Sequence, residues 1–123
     1  MVVETGVVFR PPSPPESLRD VAVAAEAAGV AELWLWEDCF WEGGLTAPTA
    51  ALAWSERLRI GIGLLPVALR NPALTAMEIA GLARLHPGRF AAALGHGLLR
   101  GLRTGWGCWA PCRGGRRSRG SRS

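Results

Sequence analysis

Residues 32–40 read ELWLWEDCF, an apolar run with two tryptophans that stops at two carboxylates and a thiol, Glu37, Asp38 and Cys39. A carboxylate at the end of a buried strand can accept a hydrogen bond from a ligand hydroxyl or hold a reactive water. A strand this apolar on both faces belongs to a parallel sheet covered by helices. Such sheets bind ligands beyond the carboxyl ends of their strands. Asp38 is therefore expected at a concave mouth, with Glu37 on the opposite side because strand side chains alternate. The plain alternative is that the pair merely begins a solvated loop.

Few other residues invite chemistry. His96 stands between two glycines in GHG, as apt for a loop as for a ligand contact. Arg70 precedes a helix start and can take a phosphate, although a surface arginine at that place is ordinary. The three cysteines, Cys39, Cys108 and Cys112, form no paired framework. The C-x3-C of the last two has no histidine after it and no second cysteine pair, so no metal site is expected. The dinucleotide fingerprint G-x-G-x-x-G is missing after the first apolar run, where PPSPP occupies the turn. Gly61 and Gly63 read as glycines admitting close packing in a crowded strand. Trp34 and Trp36 read as core or helix-facing packing.

The elements that must position these residues repeat with one punctuation. VVETGVVF is a short strand ended by Arg10 and the proline cluster, and residues 16–28 form a helix with Leu18, Val21, Ala25 and Ala28 on one stripe, closed by Gly29. ELWLW is the second strand. Residues 46–58 form the second helix, with Thr46 as cap and Pro48 in the first turn. LRIGIGLLPV is the third strand. Residues 71–86 form a third helix, capped by Asn71, with Leu74, Met77, Ala80 or Gly81, and Leu85 on its apolar stripe. FAAALGHG opens a fourth unit. Strands alternating with helices indicate right-handed βαβ units and a parallel sheet. Either a small doubly wound domain or half of a (β/α)8 barrel satisfies this α/β pattern, since a full barrel needs roughly 250 residues.

Three pieces in order carry a resemblance: SLRDVAVAAEAAGVAELWLWEDCF, LRIGIGLLPVALRNPALTAMEIAGLARLHPGRF and AAALGHG. Together they resemble the N-terminal half of a luciferase-like monooxygenase, a superfamily of flavin- and deazaflavin-dependent oxidoreductases. The resemblance implies a partial (β/α)8 TIM barrel of four βα units over residues 1–97. It implies FMN or a deazaflavin of the coenzyme F420 type as cofactor, and a small-molecule substrate. By the same resemblance Asp38, at the end of the second strand, lies beside the cofactor. Cys39 stands where some relatives carry a catalytic histidine, so that role is not carried over. Gly63 and Leu64 match a bulge whose non-prolyl cis peptide supports the ring. His96 and Gly97 match a turn approaching the cofactor, whose amides suit a phosphate or ring oxygen. Trp34, Leu64 and Leu94 are expected to be largely buried.

Charge divides the chain at the same boundary. Residues 1–97 hold all ten acids and seven arginines, a balance of −3, whereas residues 98–123 hold seven arginines and no acid. Every basic residue is arginine, and asparagine occurs once, as in a GC-rich coding sequence. Residues 98–123 are expected to be an unstructured Arg/Gly/Ser tail, derived from a frameshift or a degraded gene end, which leaves a truncated barrel of doubtful activity on its own. The competing function is nucleic-acid binding through that tail. Half a barrel exposes two strand edges, which favours a homo-oligomer. No apolar run reaches the roughly 20 residues of a membrane span. The N-terminus lacks the basic start of a signal peptide, so the cytoplasm is the expected location.

Overall fold

The computed structural model describes residues 3–38, 41 and 43–97. Four strands, β1 (Gly6–Val8), β2 (Glu32–Leu35), β3 (Arg59–Pro66) and β4 (Phe90–Gly95), alternate with α1 (Leu18–Ala27), α2 (Thr46–Trp54) and α3 (Pro72–Leu85). Short 3-10 turns precede α1 at Pro15–Ser17 and α3 at Val67–Leu69. All pairings are parallel, and the strand order is β1-β2-β3-β4. That order decides between the two architectures. A doubly wound sheet reverses its strand order at a switch point, whereas a barrel adds each strand beside the last.

Local chemistry explains most boundaries. Asn71 caps α3, its side chain accepting from the amides of Ala73 and Leu74, with Pro72 in the first turn. Gly29 has a φ of 75° just past α1, where the Gly29 and Val30 amides donate to Glu26 and Ala25 carbonyls. The expected cap at Thr46 is not formed. Leu45 occupies the N-cap position, and Thr46 is already helical, its hydroxyl donating to the Gly43 carbonyl.

The core lies between the sheet and the helices. Leu33 and Leu35 of β2 and Ile60, Ile62 and Leu65 of β3 pack with Leu18, Ala22 and Ala25 of α1 and Ala51 and Leu52 of α2. The opposite, concave face carries Glu32, Trp34, Gly61, Gly63 and Val8. One expectation of burial fails here: Leu94 is 57% exposed, whereas Leu64 and Trp34 remain mostly covered. Leu94 lies on the last strand, where no described element covers that end. The α3 stripe also fails. Leu74, Met77 and Leu85 are exposed, while Thr75 and Leu82 are buried and Ile79 packs on the core. The periodicity located an apolar stripe, but the sheet rests against the neighbouring face.

Candidate functional site

The carboxyl ends of the strands converge on a bulge in β3. Ile62 pairs with Ala92, and the next pair is Leu65 with Leu94. Between those pairs β3 takes three residue steps and β4 two, so Gly63 and Leu64 together occupy one ladder position. The Gly63–Leu64 peptide is cis, at the bond singled out in the sequence. The extra residue also restores alternation, so that Ile60, Ile62 and Leu65 all face the helices.

Both neighbouring strands end against this bulge. The Glu37 amide donates to the Leu64 carbonyl at 3.2 Å, which brings Asp38, the next residue, to the same edge. On the other side, a Cβ on Gly95 would lie 2.7 Å from Leu64 Cδ2. Gly97 takes a φ of 65° and sits against Pro66, where a Cβ would meet Pro66 Cβ at 3.1 Å. Packing therefore accounts for both glycines of GHG. Asp38, Gly63, His96 and Gly97 are exposed, and Leu64 is half-buried between them.

Glu37 takes the helix side, in step with Leu33 and Leu35. Its carboxylate receives Arg70 Nε at 2.7 Å and Nη2 at 2.9 Å, and accepts the Gly44 amide at 3.1 Å. Both side chains are largely buried, 18% and 13% exposed for Arg70 and Glu37. The hydrogen bond to Glu37 raises the pKa of Arg70 above its ordinary value, with burial opposing and Glu78 adding to the effect. A two-pronged pair of this kind fixes geometry as well as charge. Arg70 is thus committed to Glu37 and Glu78 rather than presented to a phosphate. The pair joins the loop after β2 to the loop after β3. A carboxylate followed by a lone arginine 33 residues later carries no local signal of this contact.

Trp34 packs on the face of the sheet away from the helices. Its ring lies on the concave face, across Gly61, where a Cβ would come within 2.6 Å of Trp34 Cδ2 and Cζ3. Gly6 adjoins the ring's other side, with a Cβ position 3.4 Å from Cδ1. Nε1 donates to Glu32 Oε2 at 2.8 Å, and Glu32 in turn pairs with Arg59 at 3.0 Å. The available signal was the pairing of a tryptophan with a strand carrying glycines two residues apart.

Residues 3–100 match the luciferase-like monooxygenase family. The chain belongs to that family. Among solved structures, this luciferase-like chain is similar to the coenzyme F420 dependent tetrahydromethanopterin reductase of Methanopyrus kandleri, with a TM-score of 0.74 and 22% identity over 85% of this chain. It is also similar to the oxygenating constituent of 3,6-diketocamphane monooxygenase from the CAM plasmid of Pseudomonas putida, a type II Baeyer-Villiger monooxygenase in complex with FMN. There the TM-score is 0.70, with 22% identity over 79% of this chain. The luciferase-like chain spans 30% of the length of each of these proteins. No curated protein matches it. These likenesses establish the fold, four parallel strands with three intervening helices from a (β/α)8 barrel. Among the described residues no group of three or more His, Cys, Asp or Glu is placed to hold a metal. No described helix is long and apolar enough to cross a membrane. The basic segment 98–123, with its expected lack of structure and its nucleic-acid alternative, lies outside the described residues, as does Cys39.

Proposed function

We propose that this chain supplies the N-terminal half of a flavin- or deazaflavin-dependent oxidoreductase acting on a small molecule, with the cofactor ring at the carboxyl edge of the sheet. The observation that carries this reading is the β3 bulge. It leaves Gly63 exposed in the middle of the edge where β2 and β4 also end. The residues present fit a planar ring. Gly63 has no side chain to fill the space above the concave face, and a Cβ there would meet only Trp34 among the described atoms within 4 Å.

In this reading Gly63 and Leu64 lie against the ring, and Asp38 accepts a hydrogen bond from a cofactor hydroxyl or holds a water. The turn containing His96 and Gly97 offers backbone amides to a phosphate or ring oxygen. Glu37 and Arg70 keep the two flanking loops in place and so hold Asp38 beside the bulge. When bound, such a group supplies hydride or oxygen chemistry, and the protein's part is to orient it and exclude water. The relatives named above work with coenzyme F420 in one case and FMN in the other. The test is to titrate FMN and coenzyme F420 separately into the chain and follow absorbance, with circular dichroism as the control for folding. Saturable binding of either supports the reading. A folded chain that binds neither overturns it.

A further inference from the structure

We infer that Trp34 is a ring-stacking residue of this site, the floor against which a planar conjugated ligand of the flavin or deazaflavin class lies; this rests on the function proposed above. Three features of the concave face carry it. First, the ring is accommodated only because Gly61 lacks a side chain, so β3 yields its place in that layer to the indole. Second, the ring is held by its Nε1 bond to Glu32, which Arg59 holds in turn. A tryptophan pinned at its polar edge presents a preorganised apolar face. Third, the Cε3–Cζ3 edge of the benzo ring borders an open position at the next layer. A Cβ at Gly63 would stand 3.5 Å from Cε3 and 3.6 Å from Cζ3, ordinary contact distance, with no other described atom within 4 Å.

Gly61 and Gly63 therefore play different parts. The first admits the indole, and the second leaves it open on the side toward the bulge. A core-filling tryptophan would need only the first. Flat ligands stack on tryptophan because offset ring faces attract and bury apolar area together.

The experiment titrates FMN and coenzyme F420 into the wild-type chain and into Trp34→Phe, Trp36→Phe and Gly63→Ala, reading ligand emission and affinity. Tyrosine is absent from the chain, so tryptophan is the strongest electron donor available to quench a bound ring. Trp34→Phe keeps a ring but not the donor; bound-ligand emission should rise severalfold while affinity falls less than about fivefold. Trp36→Phe should retain most of the quenching. Gly63→Ala adds a methyl against the Cε3–Cζ3 edge of the benzo ring at normal contact distance. It should keep the wild-type melting temperature and weaken binding about tenfold. Ligand that binds with unchanged emission in Trp34→Phe overturns the inference and spares the proposed function, whereas unchanged affinity in Gly63→Ala overturns both. Quenching that disappears with Trp36 overturns the inference alone. If Trp34→Phe fails to fold, Trp34→Leu, read in the same way, takes its place. Absence of binding to a folded wild-type chain overturns both.

Discussion

The two edges of this sheet are finished in opposite ways. At the amino edge, the turn between α2 and β3 has its backbone groups taken from both sides. Glu26 of α1 accepts the amides of Glu56, Arg57 and Leu58. Arg89, just before β4, donates to the carbonyls of Leu52, Ser55 and Leu58 and to the Ser55 hydroxyl. Each contact spans about one βα unit, so one acid and one arginine bind three consecutive units together. At the carboxyl edge a charged clamp, Glu37 with Arg70, joins loops behind the strands. In front of it Asp38, Gly63, His96 and Gly97 stay exposed. Satisfied backbone at one edge and open groups at the other is the division of labour of βα barrels, stability below and chemistry above.

Substitutions that break the clamps should therefore cost stability, and those of the exposed residues at the carboxyl edge should not. The largest effect is expected for Arg89→Met, which keeps much of the stem but strips a charged donor from three carbonyls. A loss of about 3 kcal/mol is expected in urea denaturation. Arg70→Leu should follow at about 2 kcal/mol, because it leaves the Glu37 carboxylate largely buried without its partner. The double variant Glu37→Leu/Arg70→Leu should recover part of that loss, since no orphaned charge remains. If the double variant is as unstable as the sum of both single variants, the pair is not acting as a unit.

A smaller, pH-dependent effect belongs to Glu26. Hydrogen bonds from the Arg57 amide first, and from Leu58 and Glu56, hold its pKa below the ordinary 4.5, with burial opposing. A carboxylate whose folded pKa is depressed stabilises the fold above the ordinary value and loses that contribution as pH falls through the folded one. Glu26→Gln should thus lower the urea midpoint at neutral pH and flatten its decline below pH 4.5 relative to wild type. Because the group is at the surface, salt should reduce the difference. Parallel curves for variant and wild type through the acid range would show that the clamp is not charge-dependent. The smallest stability change is expected for Asp38→Asn, below about 0.5 kcal/mol. Its signature should be weaker binding of FMN or coenzyme F420. If both stability and binding are untouched, Asp38 is a loop start only.

How far the fold could be read in advance follows from the range of each signal. Alternating apolar runs and helical stripes with proline and glycine punctuation are local, and all seven strands and helices stand where those signals put them. Asn71 capped α3 because the cap and the amides it binds are neighbours in the chain. Thr46 did not, because position within a few residues of a helix start is as fine as such signals resolve. The resemblance in residue order reached further, to the Gly63–Leu64 bond and to the edge where Asp38 and Gly97 stand.

By itself the sequence determined the order of strands and helices, the parallel sheet and the family. It did so because propensity, capping and the period of apolar residues act over a few turns. Only the tertiary structure decided which side of α3 rests on the sheet and which partner Arg70 takes from the preceding unit. It also decided that Trp34 faces the concave interior rather than the helices. Those outcomes depend on register between strands 27 residues apart, as where Trp34 meets Gly61. An apolar run buried on both faces gives no local preference for either side. The choice is made by the empty positions opposite, and glycine on the neighbouring strand left the tryptophan room on only one of them.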